Sequence, residues 1–407
     1  MDNAILQKEP QPQNANWSAV FAMTLCVFVL IASEFMPVSL LTPLARDFQV
    51  TEGMAGQGIT ISGFFAVITS LFISILTKGI NRKALLLGLT AIMGLSGALI
   101  ALASNYYVYM VGRALIGVVV GGFWSMSAAI AMRLVPINQV PRALAIFNSG
   151  NALAMVIAAP LGAFLGAVVG WRGAFFCLVP IAVLAIIWLW VSLPSMPPKL
   201  LSNQNNQHIF TIFTLFKRRV IALGMLAVGF FFMGQFTLFT YVRPFLETVT
   251  KIDISMVTLI LLIMGIAGFI GTLLVGNVLK RGLYRTLAAI PLLMTIAALS
   301  LIAFGHSLVA VMILLGIWGL ISTAAPVGWW SWVPRIFPNN AEAGGGLMVA
   351  VIQLSIALGS TVGGLLFDIS GYQSAFVFSA LFLVIAAILV KFTAKAEGVV
   401  HVENITE

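Results

Sequence analysis

The run Ser33–Phe48, SEFMPVSLLTPLARDF, ends the first long apolar segment of the chain, which begins at Trp17. It carries Glu34 inside that apolar segment, and Pro37 and Pro43 follow. A carboxyl group within a membrane span costs about 2.5–3.5 kcal/mol on insertion scales, so its presence there indicates a function. The prolines are expected to bend the helix or make it irregular, because proline has no N–H for a helical bond.

The composition is typical of a membrane protein. Of the 407 residues, 61% are hydrophobic and only 8% are charged, which excludes an ordinary soluble globular chain. Apolar runs of about 20 residues, long enough for a spanning helix, recur from one end of the chain to the other. The formal net charge of +9 would suit a nucleic-acid partner in a soluble protein. Here the basic residues lie in loops between spans, so we expect no such partner.

Charges, Pro/Gly clusters and polar loops divide the chain into twelve predicted spans, which makes it an all-α membrane protein. The predicted spans are 17–44, 54–77, 84–103, 107–132, 142–168, 173–192, 220–242, 254–279, 286–304, 308–332, 343–367 and 373–392. The polar segment after the sixth span is predicted to be a linker on the membrane surface. The predicted organisation is an N-terminal tail (1–16), a six-helix bundle (17–192), the linker (193–219), a second six-helix bundle (220–392) and a C-terminal tail (393–407).

The basic residues predict the orientation of the spans. One set of alternate loops, beginning with the N-terminal tail, carries most of the lysines and arginines. The other set carries only Arg46, Arg172, Arg243 and Lys251. Under the positive-inside rule, both termini and the linker are therefore cytoplasmic, and the number of spans is even.

The two halves of the chain repeat each other in sequence. Three matches lie close to half the chain length apart: Lys78-Gly79-x-x-Arg82 with Arg281-Gly282-x-x-Arg285, Gly122-Phe-Trp124-Ser125 with Gly328-Trp-Trp330-Ser331, and Gly170-x-x-x-Ala174-Phe175 with Gly371-x-x-x-Ala375-Phe376. Matches in the same order predict two parallel six-helix repeats, as in transporters whose site lies where the repeats meet.

Two charged residues lie well inside predicted spans, Glu34 in the first and Arg113 in the fourth. Their depths below the predicted outer helix ends differ by about 6 Å, which an arginine side chain can reach if the two helices are neighbours. A carboxyl group between an apolar environment and a guanidinium can take up a proton on one side of the membrane and release it on the other. The alternatives are a fixed tether between helices and a glutamate that reaches a wet vestibule.

Polar and aromatic residues in other spans are candidates for a substrate cavity, because buried amides need partners or a wet cavity and aromatic rings can stack on a flat ligand. The candidates are Trp124, Asn148, Asn151, Gln235, Tyr241 and Gln353. An interfacial anchor is the alternative for Trp124. Gly150, Pro160 and Gly162 in the fifth span have two interpretations of equal weight. One is a functional bend of the helix, and the other is simple close packing of helices.

The sequence contains no recognisable catalytic set or metal site. Its two cysteines, Cys26 and Cys177, lie in apolar runs, and its three histidines are dispersed. A glycine-rich phosphate loop with Lys and Ser/Thr is absent as well, so ATP-driven action by this chain alone is not expected. We predict a protein that is not an enzyme and that binds neither a cofactor nor a metal.

Several motifs resemble those of the major facilitator superfamily, across the whole chain. Gly112-Arg113-Ala-Leu-Ile-Gly117 resembles its fourth-helix arginine motif, which implies a role for Arg113 in proton coupling. Gly150 followed by Ala159-Pro160-Leu-Gly162 resembles the fifth-helix motif of drug/proton antiporters, with Ala159 in place of the usual glycine. The loop Lys78-Gly-Ile-Asn-Arg82-Lys83 resembles the cytoplasmic gating loop, but it lacks the usual acidic residue.

Longer runs resemble the purine ribonucleoside efflux permeases of this superfamily. They include Asn16-Trp-Ser-Ala-Val-Phe21, Glu34-Phe-Met-Pro-Val-Ser-Leu-Leu-Thr-Pro43, Gly121-Gly-Phe-Trp-Ser125, Met132-Arg-Leu-Val-Pro136 and Pro326-Val-Gly-Trp329. The resemblance implies a proton-coupled antiporter of the bacterial inner membrane. It would export inosine- or guanosine-like nucleosides by alternating access, driven by the proton gradient.

The residues alone leave the substrate open. A cavity with aromatic rings and amides but few charges suits a neutral nucleoside, and it suits a neutral sugar as well. Efflux of sugars or small drugs is therefore the alternative within the same class. A substrate-gated membrane sensor or channel on the same fold is the alternative from another class. We expect a monomer.

Overall fold

The computed structural model describes residues 15–77, 79–136, 139–197, 218–337 and 341–406. Over these residues the chain is helical and contains no strand. The α-helices are α1 (Trp17–Phe48), α2 (Glu52–Leu76), α3 (Arg82–Ala101), α4 (Tyr106–Leu134), α5 (Val140–Val168), α6 (Gly170–Phe176), α7 (Leu178–Ser192), α8 (Arg219–Phe239), α9 (Val242–Phe245), α10 (Ile254–Leu279), α11 (Leu283–Phe304), α12 (Leu308–Ser322), α13 (Ala324–Ile336), α14 (Ala341–Ser370) and α15 (Tyr372–Thr406). A short π-helix, Leu246–Thr250, follows α9.

Twelve helical segments of the described chain are long and apolar enough to cross a membrane. Helices α6 and α7 together make one of them, Gly170–Ser192, and α12 and α13 make another, Leu308–Ile336. Large apolar side chains such as Phe64, Leu102 and Leu273 are exposed on the surface of the bundle, where lipid rather than water suits them. The prediction of an all-α protein with twelve spans is confirmed, and the protein is a multi-pass membrane protein.

The two halves have the same local structure at one matched pair of glycines. Gly170 and Gly371 both have a left-handed backbone, with φ of +76° and +78°, a conformation that glycine adopts without steric cost. Each begins or precedes a helix in which the matched phenylalanine, Phe175 or Phe376, is buried. At this pair, the repeat seen in the sequence is also present in the structure.

Helix α1 is the most enclosed of the spans. It packs against α2, α4, α5 and α7 of its own half and against α9 of the other half. Of its most apolar window, 78% is buried, compared with 33% for α10. Helix α1 continues through both Pro37 and Pro43. The two halves meet mainly where α2 packs on α14 and where α5 packs on α10.

The last predicted span is longer than expected. The prediction ends it at residue 392, whereas α15 continues to Thr406, so most of the predicted tail is helical. Glu397 lies in this extension and is buried. Its carboxylate accepts hydrogen bonds from the Tyr284 hydroxyl and, at 2.6 Å, from Arg335 Nε. Polar residues beyond 392 thus have partners in α11 and α13, which a hydropathy pattern does not reveal.

The variant Glu397→Ala is expected to lower the melting temperature in detergent. It leaves the half-buried Tyr284 hydroxyl without its acceptor, and such a loss costs about 1–3 kcal/mol, or about 2 °C in a chain of this size. Tryptophan fluorescence during heating measures the change. Lys395→Ala, at an exposed position on the same helix, is the matched control. Equal melting temperatures for the two variants would show that the bonds of Glu397 do not stabilise α15.

Candidate functional site

Glu34 lies where the two halves meet. It is 4% exposed, and its Oε1 accepts a hydrogen bond from Gln353 Nε2 at 3.1 Å. Because Glu34 is in α1 and Gln353 is in α14, this bond joins the N-terminal half to the C-terminal half. Beside it, the rings of Phe35 and Phe236 pack with centroids 5.7 Å apart. The predicted proton site and one predicted cavity residue are therefore in direct contact.

Arg113 reaches α1, as the depth comparison predicts, but it binds the backbone there. It is fully buried. Its Nη1 donates to the Ser33 carbonyl at 2.7 Å and its Nη2 to the Glu34 carbonyl at 3.0 Å. Its Nε donates to the Gly58 carbonyl of α2, also at 3.0 Å. The guanidinium thus ties α4 to α1 and α2, and it places a positive charge beside the backbone of the predicted proton site.

The first proline of α1 explains one of these bonds. A proline lacks the N–H that would bond to the carbonyl four residues earlier. Pro37 therefore leaves the Ser33 carbonyl without a helical donor, and this carbonyl accepts the bond from Arg113. An unpaired carbonyl inside a membrane costs several kcal/mol, so Arg113 satisfies a group that the proline exposes.

The second proline of α1 has the same effect six residues further on. Pro43 leaves the Ser39 carbonyl without a helical donor, and Arg243 Nη1 donates to it from the C-terminal half. Arg243 also pairs with Glu247 at 2.8 Å. Burial lowers the pKa of the Arg243 guanidinium, and the neighbouring Glu247 carboxylate raises it. The two freed carbonyls of α1 are thus each bound by a buried arginine, one from each half.

A third proline also leaves a carbonyl without a helical donor, at the other contact between the halves. Pro160 lies inside α5 and leaves the Val156 carbonyl without a helical donor. Gly265 of α10 packs against that carbonyl so closely that a Cβ atom on it would lie 2.6 Å from the oxygen. A side chain at position 265 would therefore push α5 and α10 apart.

The halves are also joined at the N-terminus of α2. Asp368 Oδ2 accepts a hydrogen bond from Thr51 Oγ1 at 2.6 Å, and its Oδ1 accepts one from the Gly53 N–H at 3.0 Å. A carboxylate is favoured at this position, because the first N–H groups of a helix are unpaired and carry a partial positive charge. Close by, Ser360 Oγ donates to the Gly56 carbonyl at 3.2 Å.

Eight hydrogen bonds of the described chain join the halves through residues between Glu34 and Thr60 on the N-terminal side. These residues lie toward the C-terminus of α1 and the N-terminus of α2. The sequence predicts that both of these helix ends face the outside. The structure therefore describes a conformation in which the halves are bonded at the predicted outer end.

Tyr241 lies at the outer end where the halves are bonded, which is called the closed end below. It is fully buried, its hydroxyl donates to the Ser360 carbonyl at 2.8 Å, and its ring stacks on Phe367. Ser360 lies about 10 Å beyond Gln353 along α14. The assignment of Tyr241 to the substrate cavity stays a prediction.

The other predicted cavity residues do not contact Glu34 through a described hydrogen bond. Asn148 is exposed, and its amide donates to the Leu144 carbonyl of its own helix at 3.0 Å. Asn151 and Trp124 are half-buried. Gln235 is 6% exposed, and its Oε1 is buried without a hydrogen-bond partner among the described residues. Of the six candidates, Gln353 is the one that the described bonds connect to Glu34.

The glycines of the predicted fifth-helix motif pack against α1. A Cβ atom on Gly150 would lie 2.5 Å from the Thr24 carbonyl, and one on Gly162 would lie 2.9 Å from Met36 Cγ. Both positions therefore require a small residue for the close approach of α5 to α1. This geometry fits the packing alternative that the sequence left open.

The predicted gating loop is bonded within the N-terminal half. Lys83 Nζ donates to the Trp190 and Leu193 carbonyls at the end of α7, at 2.7 and 2.6 Å. Arg82 Nη1 donates to Thr77 Oγ1 at 3.0 Å, and Lys78 lies outside the described residues. The Lys83 bonds attach the loop to the end of α7, and a gating role for it stays a prediction.

Two charged residues of the contact between the halves, Arg243 and Asp368, were not predicted from the sequence as part of it. A partial signal existed for Arg243, because the position of Pro43 identifies the Ser39 carbonyl as a free acceptor. For Asp368 there was no signal, because its partners are set by the packing of α2 on α14. Among the described residues, no three His, Cys, Asp or Glu side chains are grouped so that they could hold a metal ion.

The variant Pro43→Ala is expected to loosen the closed end. It restores a helical N–H for the Ser39 carbonyl, which then competes with Arg243 for that carbonyl. A hydrogen bond to a charged group contributes about 1.5–3 kcal/mol, so its partial loss should speed opening roughly threefold or more. Opening is measured with a cysteine introduced by Ser360→Cys, at a fully buried position, in a background without Cys26 and Cys177. The rate at which an impermeant maleimide labels this thiol reports the rate of opening.

The matched control is Pro291→Ala, which also restores a helical N–H but lies inside α11, within the C-terminal half. Its labelling rate should equal that of the parent. A Pro43→Ala rate that is no faster than the control rate would contradict the role assigned to the Ser39 carbonyl.

Comparisons with known proteins agree with the twelve-helix fold. Residues 23–355 match the family model described as Major Facilitator Superfamily. The chain superimposes on the crystal structure of a bacterial homologue of the human lysosomal transporter Spinster with a TM-score of 0.75, covering 94% of this chain and 97% of that one at 16% sequence identity. It also superimposes on the crystal structure of a D-xylose-proton symporter with a TM-score of 0.72. That match covers 92% of this chain and 96% of that one at 17% sequence identity.

Two curated relatives cover almost the whole chain. The sequence is 62% identical to "Transcription regulatory protein OpdE" of Pseudomonas aeruginosa, over 96% of this chain and 97% of that protein. It is 40% identical to "Purine ribonucleoside efflux pump NepI" of Salmonella enteritidis, over 92% of this chain and 93% of that protein. From the family model and these relatives, the chain belongs to the Major Facilitator Superfamily, a family of membrane transporters.

Proposed function

We propose that this protein is a proton-coupled antiporter that exports purine ribonucleosides, inosine- or guanosine-like, by alternating access of its two halves. The observation that carries the proposal is the Glu34 carboxyl group. It is buried inside a spanning helix, next to backbone bound by Arg113, and it is bonded to Gln353 of the other half. A titratable group at the contact between moving halves can link its protonation to their movement.

In the proposed mechanism, Glu34 carries the proton, and the charge of Arg113 modulates the proton affinity of Glu34. Arg113 stays charged throughout, because the guanidinium does not titrate in proteins. Its bonds to the Ser33 and Glu34 carbonyls hold the backbone of the carboxyl group in place. The side chain of Glu34 is left to exchange partners. Protonation removes its negative charge, which weakens the bond that it accepts from Gln353.

The contacts at the closed end suit halves that separate and rejoin. They consist of single hydrogen bonds to hydroxyl, carbonyl and carboxylate groups, such as those between Thr51 and Asp368 and between Ser360 and Gly56. A neutral bond such as that of Ser360 to Gly56 contributes about 0.5–1.5 kcal/mol net, and one to a charged group, such as that of Thr51 to Asp368, about 1.5–3 kcal/mol. A set of bonds of this strength can break in a step that substrate or proton binding drives.

The substrate class rests on the relative named as a purine ribonucleoside efflux pump. The site chemistry is compatible, because a buried carboxyl group, amides and aromatic rings can bind a neutral ligand with a flat base and hydroxyl groups. Neutral sugars and small drugs are the alternative substrates. We place the protein in the bacterial inner membrane, with both termini in the cytoplasm, working as a monomer without a cofactor.

A second candidate function follows from the other relative, whose name is that of a transcription regulatory protein. The longest polar segment between the predicted spans is 193–219, and segments below about 40 residues rarely fold alone. A DNA-binding domain therefore has no room between the spans. An effect on transcription would be indirect, either through export of an effector or through a substrate-gated sensor.

The main test is inosine-driven proton flux in proteoliposomes. Wild type is expected to show flux and Glu34→Gln to show none, because the amide cannot take up a proton. Exchange of labelled for unlabelled inosine needs no proton, so Glu34→Gln should keep it. Asp253→Asn, which removes an exposed carboxyl group, is the control and should behave as wild type.

The outcomes separate the parts of the proposal. Full proton-coupled transport by Glu34→Gln would show that another group carries the proton. Absence of inosine-dependent flux in wild type would show that the substrate is wrong.

Counterflow distinguishes a transporter from a sensor. Vesicles preloaded with unlabelled inosine should transiently accumulate labelled inosine above the outside concentration, since a carrier exchanges the two across the membrane. A sensor would bind inosine without accumulation, and a channel would only equilibrate the label. Binding without counterflow would favour the second candidate function.

A further inference from the structure

Gln353 has an incomplete set of hydrogen bonds. One hydrogen on its Nε2 is directed to Glu34 Oε1, and its Oε1 is buried without a partner among the described residues. An amide oxygen buried in this way costs free energy unless something binds it. The unpaired oxygen lies on the same side chain that contacts the proposed proton carrier.

The backbone of Gln353 is held firmly at this position. A Cβ atom on Gly63 of α2 would lie 2.8 Å from the Gln353 carbonyl, so α14 and α2 are in close contact here. From that fixed backbone, the side chain reaches to Glu34 of α1. Gln353 therefore lies at the junction of α1, α2 and α14, where the two halves meet.

The free groups of this amide match a defined ligand chemistry. The carbonyl oxygen is an acceptor, and Nε2 keeps a second hydrogen that can be donated while the first stays on Glu34. An acceptor beside a donor pairs with a ligand edge that has a donor beside an acceptor, as Gln does with the edge of a base. The lactam edge of a 6-oxopurine, with its N1–H beside O6, has this pattern.

We propose that Gln353 recognises the base of the substrate, its Oε1 accepting the N1–H and its free Nε2 hydrogen donating to O6 of a 6-oxopurine. This inference rests on the proposed nucleoside export. The oxygen is enclosed in the conformation described, so the base reaches it when the contact between α1 and α14 opens. Gln353 is then both the residue that binds the base and the partner of Glu34.

This arrangement gives a physical reason for the coupling of substrate to proton. A base bound to Gln353 orients its amide, and the strength of the bond to Glu34 depends on that orientation. Gln235 also has a buried oxygen without a partner among the described residues. It lacks a described bond to Glu34, so we assign recognition of the base to Gln353.

The test combines a change in the protein with a change in the ligand. Transport of inosine and of 1-methylinosine, which lacks the N1–H, is measured as kcat/KM in proteoliposomes for wild type, Gln353→Met and Gln235→Met. Methionine is unbranched and similar in length to glutamine but cannot accept the base's hydrogen bond. Wild type should prefer inosine by about tenfold, equivalent to about 1.4 kcal/mol.

In Gln353→Met the preference should fall to within about twofold. The acceptor for the N1–H is gone, so the variant no longer distinguishes inosine from 1-methylinosine. Gln235→Met should keep the wild-type preference. The melting temperature of each purified variant, measured by tryptophan fluorescence during heating, shows that it is folded. The preference is a ratio within one preparation, so a lower yield of active protein does not change it.

Three results would overturn the inference. They are an unchanged preference in Gln353→Met, a wild type that transports both ligands equally, and a preference lost in Gln235→Met alone. Failure of the proposed function gives a different result, because wild type would then transport neither ligand.

Discussion

The central constraint of this structure is the need to satisfy every backbone carbonyl inside a membrane. Helix α1 breaks its own hydrogen-bond ladder twice, at Pro37 and Pro43, and the carbonyls of Ser33 and Ser39 are left without helical donors. Buried arginines bind both, Arg113 from the N-terminal half and Arg243 from the C-terminal half. Through these bonds α1 is attached to both halves of the protein.

The position of the candidate site follows from this attachment. Glu34 lies in the turn after Ser33, so the bonds of Arg113 hold the backbone of the carboxyl group while its side chain meets Gln353. The prolines thus provide a rigid backbone for a side chain that has to change partners. The rest of the contact between the halves includes weaker, neutral hydrogen bonds, such as that of Ser360 to Gly56. A backbone held in place around Glu34, with weaker bonds elsewhere between the halves, is suited to alternating access.

Much of the fold was predictable, because its causes are local in the chain. Hydropathy identified the twelve spans, and the match of Gly170 to Gly371 identified a repeat that both glycines confirm by their left-handed backbone. The helical extension of α15 beyond residue 392 was not predicted, since Glu397 in it is bound by Tyr284 and Arg335 from distant helices. In the candidate site, the meeting of Arg113 with α1 was predicted from depth. Its binding to carbonyls was not, because charge considerations favour the carboxylate as its partner.

The sequence by itself determined which groups need partners: a carboxyl group in a span, two carbonyls freed by prolines, and amides among apolar residues. These needs follow from covalent structure and hydropathy, which do not depend on the rest of the fold. Only the tertiary structure decided which partner each group has, including Gln353 for Glu34, Arg243 for the Ser39 carbonyl and Asp368 for the N-terminus of α2. The physical reason is range, because a hydrogen bond acts over about 3 Å. Which groups come that close depends on how helices far apart in the chain pack.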